Sequence, residues 1–357
     1  MITNSRIARM TILSIFLLMA VEPARAQTTP ELQLIAARNN VDGSFLVSEA
    51  SFADAKHIFL ASYEGSLLIL QTSKSFPLVA TIPVSTLPLR SVRGDGNLIY
   101  ITCEDGNLYV YAEEAPFASV EAVSYGVPLL SLAVSTASGP KATITVSEFQ
   151  GVSAADAAHV YLSQLNQGDI AATANKTTYT PEVTFGTTFQ SGVTQIFERS
   201  GKYLGAIQNP LTYSGSPGQV ALFTDGKIMA QTLPGCCGTG VALYDATTPL
   251  PEIPQMLSVI NEPYADGVAT MTANDRRLLV VGTELGTVVL YDITVPTAPV
   301  RLSEADLRQL TGHESPDDVI EIRSVTVGPG GLIYAASSWS EDDPSIPAFF
   351  VLRVAVK

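Results

Sequence analysis

Gly65 and Gly106 lie 41 residues apart and hold the same place in one pattern: an apolar strand, an acidic glycine turn, a second apolar strand. The first copy reads His57-Ile58-Phe59-Leu60-Ala61-Ser62, turn Tyr63-Glu64-Gly65, then 67–70 and 78–82. The second reads 98–103, turn Glu104-Asp105-Gly106, then 108–111 and 120–123. A third spans 227–232, a long turn with Cys236 and Cys237, and 241–244. A fourth runs through 278–282, turn Thr283-Glu284-Leu285-Gly286, 288–291 and 300–302, and a last from 332 to 356. Four short strands with their turns need about 40–45 residues, the length of one propeller blade. Such a sheet cannot bury both faces alone, so copies must stack around an axis. Asp95-Gly96, Asp105-Gly106 and Asp225-Gly226 supply the positive φ that tight hairpins need.

The expected fold is therefore all-β: a single β-propeller over 27–357. Blades are placed near 41–83, 88–126, 217–259, 265–309 and 320–357. Length gives 127–216 two further blades, for seven four-stranded blades, or one with long insertions, for six. The last blade runs out of chain after its third strand. Residues 31–37 (Glu-Leu-Gln-Leu-Ile-Ala-Ala) read as a lone strand that supplies the fourth and closes the ring, removing exposed edges. Residues 304–310 are read as one short helical turn.

Two segments, Val241-Ala242-Leu243-Tyr244-Asp245-Ala246-Thr247-Thr248-Pro249 and Val288-Val289-Leu290-Tyr291-Asp292-Ile293-Thr294-Val295-Pro296, carry a further likeness. The chain resembles the LVIVD-repeat β-propellers, in which an apolar run ends in Asp before a Ser/Thr/Pro stretch. In the two earlier copies Gln71 and Ala112 stand where the Asp would be. The resemblance implies a propeller among exported or surface-attached bacterial proteins and carries over no catalytic residue.

Residues 1–26 read as a secretory signal: Arg6 and Arg9, an apolar run over 10–21, then Ala24-Arg25-Ala26. Cleavage after Ala26 would give a periplasmic or secreted protein; an uncleaved anchor is the other reading, but about 12 apolar residues are short for a span. No membrane span is expected in the mature chain. Only 15% of residues are charged and the net charge is −14, which offers nucleic acid no electrostatic footprint. Three cysteines, Cys103, Cys236 and Cys237, cannot all pair with one another.

In a propeller the loops joining second to third strands share one face with the loops between blades. That rule gathers Glu64, Glu104, Asp105, Asp266, Glu284, Asp317, Asp318 and Glu341 on one surface, with Glu262, Glu321, Asp342 and Asp343. Converging carboxylates could hold Ca²⁺, which takes six to eight oxygens, or a cationic ligand; acids are also common in solvated turns. His313 lies in the same region, and Trp339 either stacks on a ligand or packs a blade edge. Cys236 and Cys237, flanked by glycines, suit a vicinal disulfide, free thiols or a soft metal. Arg93-Gly94-Asp95 is a chance RGD tripeptide, read as part of a hairpin turn.

No nucleophile elbow, phosphate loop or metal-ligating His spacing is present. The preferred reading is a binding scaffold for a protein, peptide or glycan partner. The alternative is a metal-dependent exported enzyme, hydrolase- or lactonase-like or an oxidoreductase subunit, using an acidic central funnel.

Overall fold

A computed structural model describes residues 30–39, 48–73, 75–94, 96–103, 108–120, 130–131, 143–144, 148–153, 159–168, 189–198, 202–208, 218–223, 225–233, 240–247, 254–315, 318–337 and 345–356. In chain order the strands are β1 (Pro30–Asn39), β2 (Ser48–Ala53), β3 (His57–Ser62), β4 (Ser66–Gln71), β5 (Leu78–Pro83), β6 (Leu89–Gly94), β7 (Leu98–Cys103) and β8 (Leu108–Ala112). Then follow β9 (Leu130–Ser131), β10 (Thr143–Ile144), β11 (Glu148–Ser153), β12 (His159–Gly168), β13 (Phe189–Glu198), β14 (Tyr203–Gln208), β15 (Val220–Leu222), β16 (Ile228–Leu233), β17 (Gly240–Asp245) and β18 (Gln255–Ile260). The last are β19 (Ala265–Ala273), β20 (Arg276–Thr283), β21 (Thr287–Asp292), β22 (Val300–Asp306), β23 (Ile322–Val327), β24 (Leu332–Ser337) and β25 (Pro347–Val356).

These strands build a propeller. Among the described residues there are five four-stranded blades: β2–β5, β11–β14, β15–β18, β19–β22, and a closing blade in the order β1-β25-β24-β23. The seven or six four-stranded blades expected from length are corrected by this count. A three-stranded sheet, β6–β8, stands in the ring between β2–β5 and β11–β14. Residues 118–120 follow its outer edge through Ala112 N–H to Ala118 O and Val120 N–H to Val110 O, both 2.9 Å, and the rest of the expected strand over 120–123 lies outside the described residues. The span 127–216, allotted two blades or one with long insertions, contributes one four-stranded blade among the described residues, with β12 and β13 of ten residues each, and adds the small β9–β10 pair.

Each sheet of the ring places one strand innermost. β23, β2, β6, β11, β15 and β19 pack against one another in turn around the axis. Strands between them and the rim are buried on both faces: β3, β4 and β21 are almost wholly enclosed, which is why they read as continuous apolar runs. Rim strands alternate, as in β5. Apolar side chains of neighbouring sheets meet in six clusters, one at each seam. At the closing seam Leu32 of β1 joins Leu278, Leu290, Ile333 and Phe350.

Closure is antiparallel. β1 pairs with β25 in the register Pro30↔Val356 to Leu34↔Leu352, with a bulge before Ala36. Leu32 N–H also donates to Ser303 Oγ of β22 at 3.2 Å, tying the rim strand to the next blade.

The short helix differs from expectation. Glu304 and Asp306 remain in β22, and α1 spans Leu307–Thr311. Asp306 caps it by accepting from Gln309 N–H at 3.1 Å, and Gly312, at φ 78°, ends it.

We call the face where the inner strands begin the upper face and the other the lower. Lower turns are held by aspartates. Asp54 Oδ1 accepts from Lys56 and His57 N–H at 2.6 and 2.5 Å. Asp292 Oδ1 accepts from Thr294 N–H at 2.9 Å, and Asp245 Oδ1 from Thr247 N–H at 2.9 Å and its hydroxyl at 2.5 Å. The aspartate of the repeat is thus a turn residue. The Thr247 hydroxyl and N–H bonds, which favour the charged form, hold the Asp245 carboxyl below its ordinary value.

Two outcomes follow. Phe350→Ala removes a fully buried ring from the closing seam and should cost about 3–5 kcal/mol in denaturant unfolding. Asp245→Asn should lower stability at neutral pH, where the native carboxylate is charged and bonded. A depressed pKa contributes above the unfolded value and is lost as pH falls through the folded one, so the gap between variant and parent should shrink below pH 3.8; a gap constant from pH 7 to pH 2.5 would refute this role.

Candidate functional site: the upper face and the central channel

Upper turns share one construction. Ser62 Oγ accepts from Glu64 N–H at 3.0 Å, and Thr283 Oγ1 from Leu285 N–H at 3.2 Å. Gly65 and Gly286 follow at φ 80° and 79°, each closing its turn with N–H to Ser62 O or Thr283 O at 3.1 Å. Each glycine carbonyl then accepts from the loop leading to the next inner strand: Gly65 O from Val84 and Ser85 N–H, Gly286 O from Leu307 N–H, all 3.0 Å. Turn and interblade loop are thereby locked into one rigid rim element.

Three of the acids gathered by the sequence rule, Asp266, Glu321 and Glu262, meet arginines here. Asp266 of β19 lies 3.7 Å from Arg323 Nε, and Glu321 takes the same guanidinium at 3.1 Å. Glu262 is buried, accepting from the Tyr291 hydroxyl and lying 3.6 Å from Arg301. Burial first, then the Glu262 carboxylate, pushes the Tyr291 phenol well above its ordinary value, so it stays a donor. His313 Nδ1 is 3.6 Å from Asp318 Oδ2. Glu64 and Glu284 sit in the turns of β2–β5 and β19–β22, blades separated by the closing blade. Among the described residues no three His, Cys, Asp or Glu side chains come together as a metal site. Glu104, Asp105, Cys236, Cys237, Asp317, Trp339 and Glu341, with Asp342 and Asp343, lie outside the described residues. Cys103 is buried at the end of β7, its thiol 3.6 Å from Leu87 O.

What composition and motif did not reveal is the apolar character of this face. Tyr63, Leu87, Tyr264, Leu285, Leu310 and Val319 are all exposed, and all lie on upper turns or interblade loops. The other exposed large apolar side chains among the described residues lie almost entirely on rim strands; Val295 alone is on a lower turn. Tyr63 carries Arg90 over its ring, 5.6 Å from the centroid, a cation–π contact. Tyr264 is 40% exposed at φ 60°, a left-handed conformation unfavourable for an aromatic residue. Glu284 N–H donates to Tyr264 O at 3.0 Å, which holds it there.

Beneath the rim, polar groups cross the channel. Ser91 Oγ of β6 donates to Gln219 Oε1 at 3.0 Å, and Gln219 Nε2 returns a bond to Arg90 O at 2.8 Å. Ser51 of β2 and Ser324 of β23 share a hydroxyl bond of 2.6 Å. Deeper, Arg93 Nη1 donates to Ser51 O at 2.7 Å, and Nη2 reaches across the axis to Val268 O of β19 at 3.1 Å. Arg93 and Gly94 therefore belong to β6 and not to a turn, and the arginine side chain is directed inward. The one available sequence signal was a cation within a six-residue inner strand.

No family model matches this chain, and no curated protein does. Among solved structures, the crystal structure of the computationally designed Ika8 protein is similar to it. The two are 11% identical, over 89% of this chain and 99% of that one, with a TM-score of 0.43.

The locked rim gives a direct test. A Cβ on Gly65 would come 2.2 Å from Ser85 O, whereas one on Gly96, also left-handed at φ 92°, meets nothing. Gly96→Ala should cost about 1 kcal/mol from backbone strain alone, and Gly65→Ala clearly more, with protease cleavage appearing in 84–88. Equal losses in both would show that the turn and loop are not coupled.

Proposed function

We propose that the chain is an exported β-propeller that works as an interaction scaffold, docking a protein partner on its upper face. The observation that carries this is the collection of exposed Tyr, Leu and Val side chains on the loops of one face. Scattered exposed apolar residues are ordinary; their concentration on one face rimmed by charge marks an interaction surface. Tyr and Arg side by side, as in Tyr63 and Arg90, are the residue types that dominate protein interfaces. Glycan recognition relies on aromatic platforms edged by polar groups, and Leu87, Leu285, Leu310 and Val319 add nothing to such a platform. A peptide would need a groove or an open strand edge, whereas these side chains are spread over loops of several sheets. Rigid turns suit docking because little ordering entropy is lost on binding. Export is supported by the composition of residues 1–26 and places the partner outside the cytoplasm.

Site-specific photo-crosslinking in the cell that makes the protein tests this reading. A photoreactive residue at Leu285 or Leu310 should trap one discrete protein, and the same residue at rim positions Val79 or Val300 should not. Tyr264→Ser combined with Leu310→Asp should abolish the crosslink from 285 while leaving the unfolding midpoint nearly unchanged. Equal trapping from rim and upper positions, or none from the upper face, would overturn it.

A further inference from the structure

Arg93 is a full positive charge inside the ring that no acid meets among the described residues. Its hydrogen bonds there are the two to Ser51 O and Val268 O. A guanidinium has five N–H donors, so three remain, Nε–H included. Carbonyls are dipoles; they satisfy donors without cancelling a charge, and a cation drawn out of water without a counter-charge is costly. Burial lowers its pKa to about 10, still far above neutral, so the group stays charged. Nor is it sealed: part of the side chain remains accessible to solvent. Arg308 and Arg323 on the upper side of the ring, and Arg301 at the start of β22, are by contrast in ion pairs. Ser51, whose carbonyl takes Nη1, shares its hydroxyl with Ser324 in one bond that leaves one O–H over.

We propose that the central channel binds a small monocarboxylate, held by the planar fork of Arg93. One guanidinium supplies one charge, which suits a monoanion over sulfate or phosphate. The geometry suits a carboxylate, whose two oxygens match parallel N–H donors. Arg93 reaching from β6 to β19 and Gln219 bonding to Ser91 and Arg90 O already cross the channel, so the ligand must be small. The site lies below the docking loops, so its failure would leave the upper-face reading untouched.

The test uses the purified protein and sodium acetate, at constant ionic strength balanced with sodium chloride. The unfolding midpoint should rise with acetate and saturate, and calorimetry should give one site. Sulfate should be weaker by about tenfold or more. Arg93→Gln should abolish the saturable response, and Arg93→Lys, which keeps the charge but loses the fork, should weaken it by about tenfold. If Arg93→Gln does not fold, the comparison with Arg93→Lys decides. No saturable response in the parent chain, or the same response in parent and variants, would overturn the proposal, and a stronger sulfate response would overturn the carboxylate assignment.

Discussion

A sheet that is apolar on both faces is stable only when each face lies against another sheet. In this chain that requirement shapes everything else. β3, β4, β20 and β21 have no solvent side, so the sheet they belong to must have two neighbours, and so must each neighbour. A line of such sheets would leave two bare faces at its ends. A ring leaves none, and the ring exists because β1 returns to pair with β25. Burial worth roughly 25 cal/mol per Å² acts at every seam, but only closure lets the last seam share in it.

The polar residues divide by level. At the lower face aspartates bind backbone N–H groups and hold tight turns, as Asp54, Asp245 and Asp292 do. At the upper face serine and threonine hydroxyls do this, with glycines that fasten turn to loop. On that face Asp266 and Glu321 are occupied by Arg323, and Glu262 lies beside Arg301. Among the described residues the upper loops keep exposed apolar side chains and the channel keeps a cation that no acid meets.

Much of the fold was legible because strand periodicity and turn chemistry are local. The closing strand, the Gly65 and Gly286 turns and the Asp245 and Asp292 turns were each readable from a few adjacent residues. Blade number was not, since 127–216 offered only length, and length does not separate two blades from one with ten-residue strands. The helix was placed three residues early because Glu304 to Asp306 have helix-compatible composition, yet pair with Thr287 to Val289; tertiary pairing overrode propensity. At the site, the loop rule gathered Asp266, Glu284, His313 and Asp318, which lie at the upper ends of their strands and loops. It could not show that Asp266 and Glu321 face Arg323. Arg93 was hidden because a period of two says which side of a sheet a residue takes, but not which side chain of an inner strand crosses the axis.

Pairing the first strand with the last also sets an order in time. Asn39 must wait for Pro347, some 308 positions later in the chain. At synthesis rates of about 5–20 residues per second, that is roughly 15–60 s in which β1 has no partner. Throughout it, β1 offers unpaired backbone to any strand it meets, and the sheet it will complete does not yet exist. The earliest strand made is thus the last to be committed, and a nascent chain of this design needs shielding for most of its synthesis.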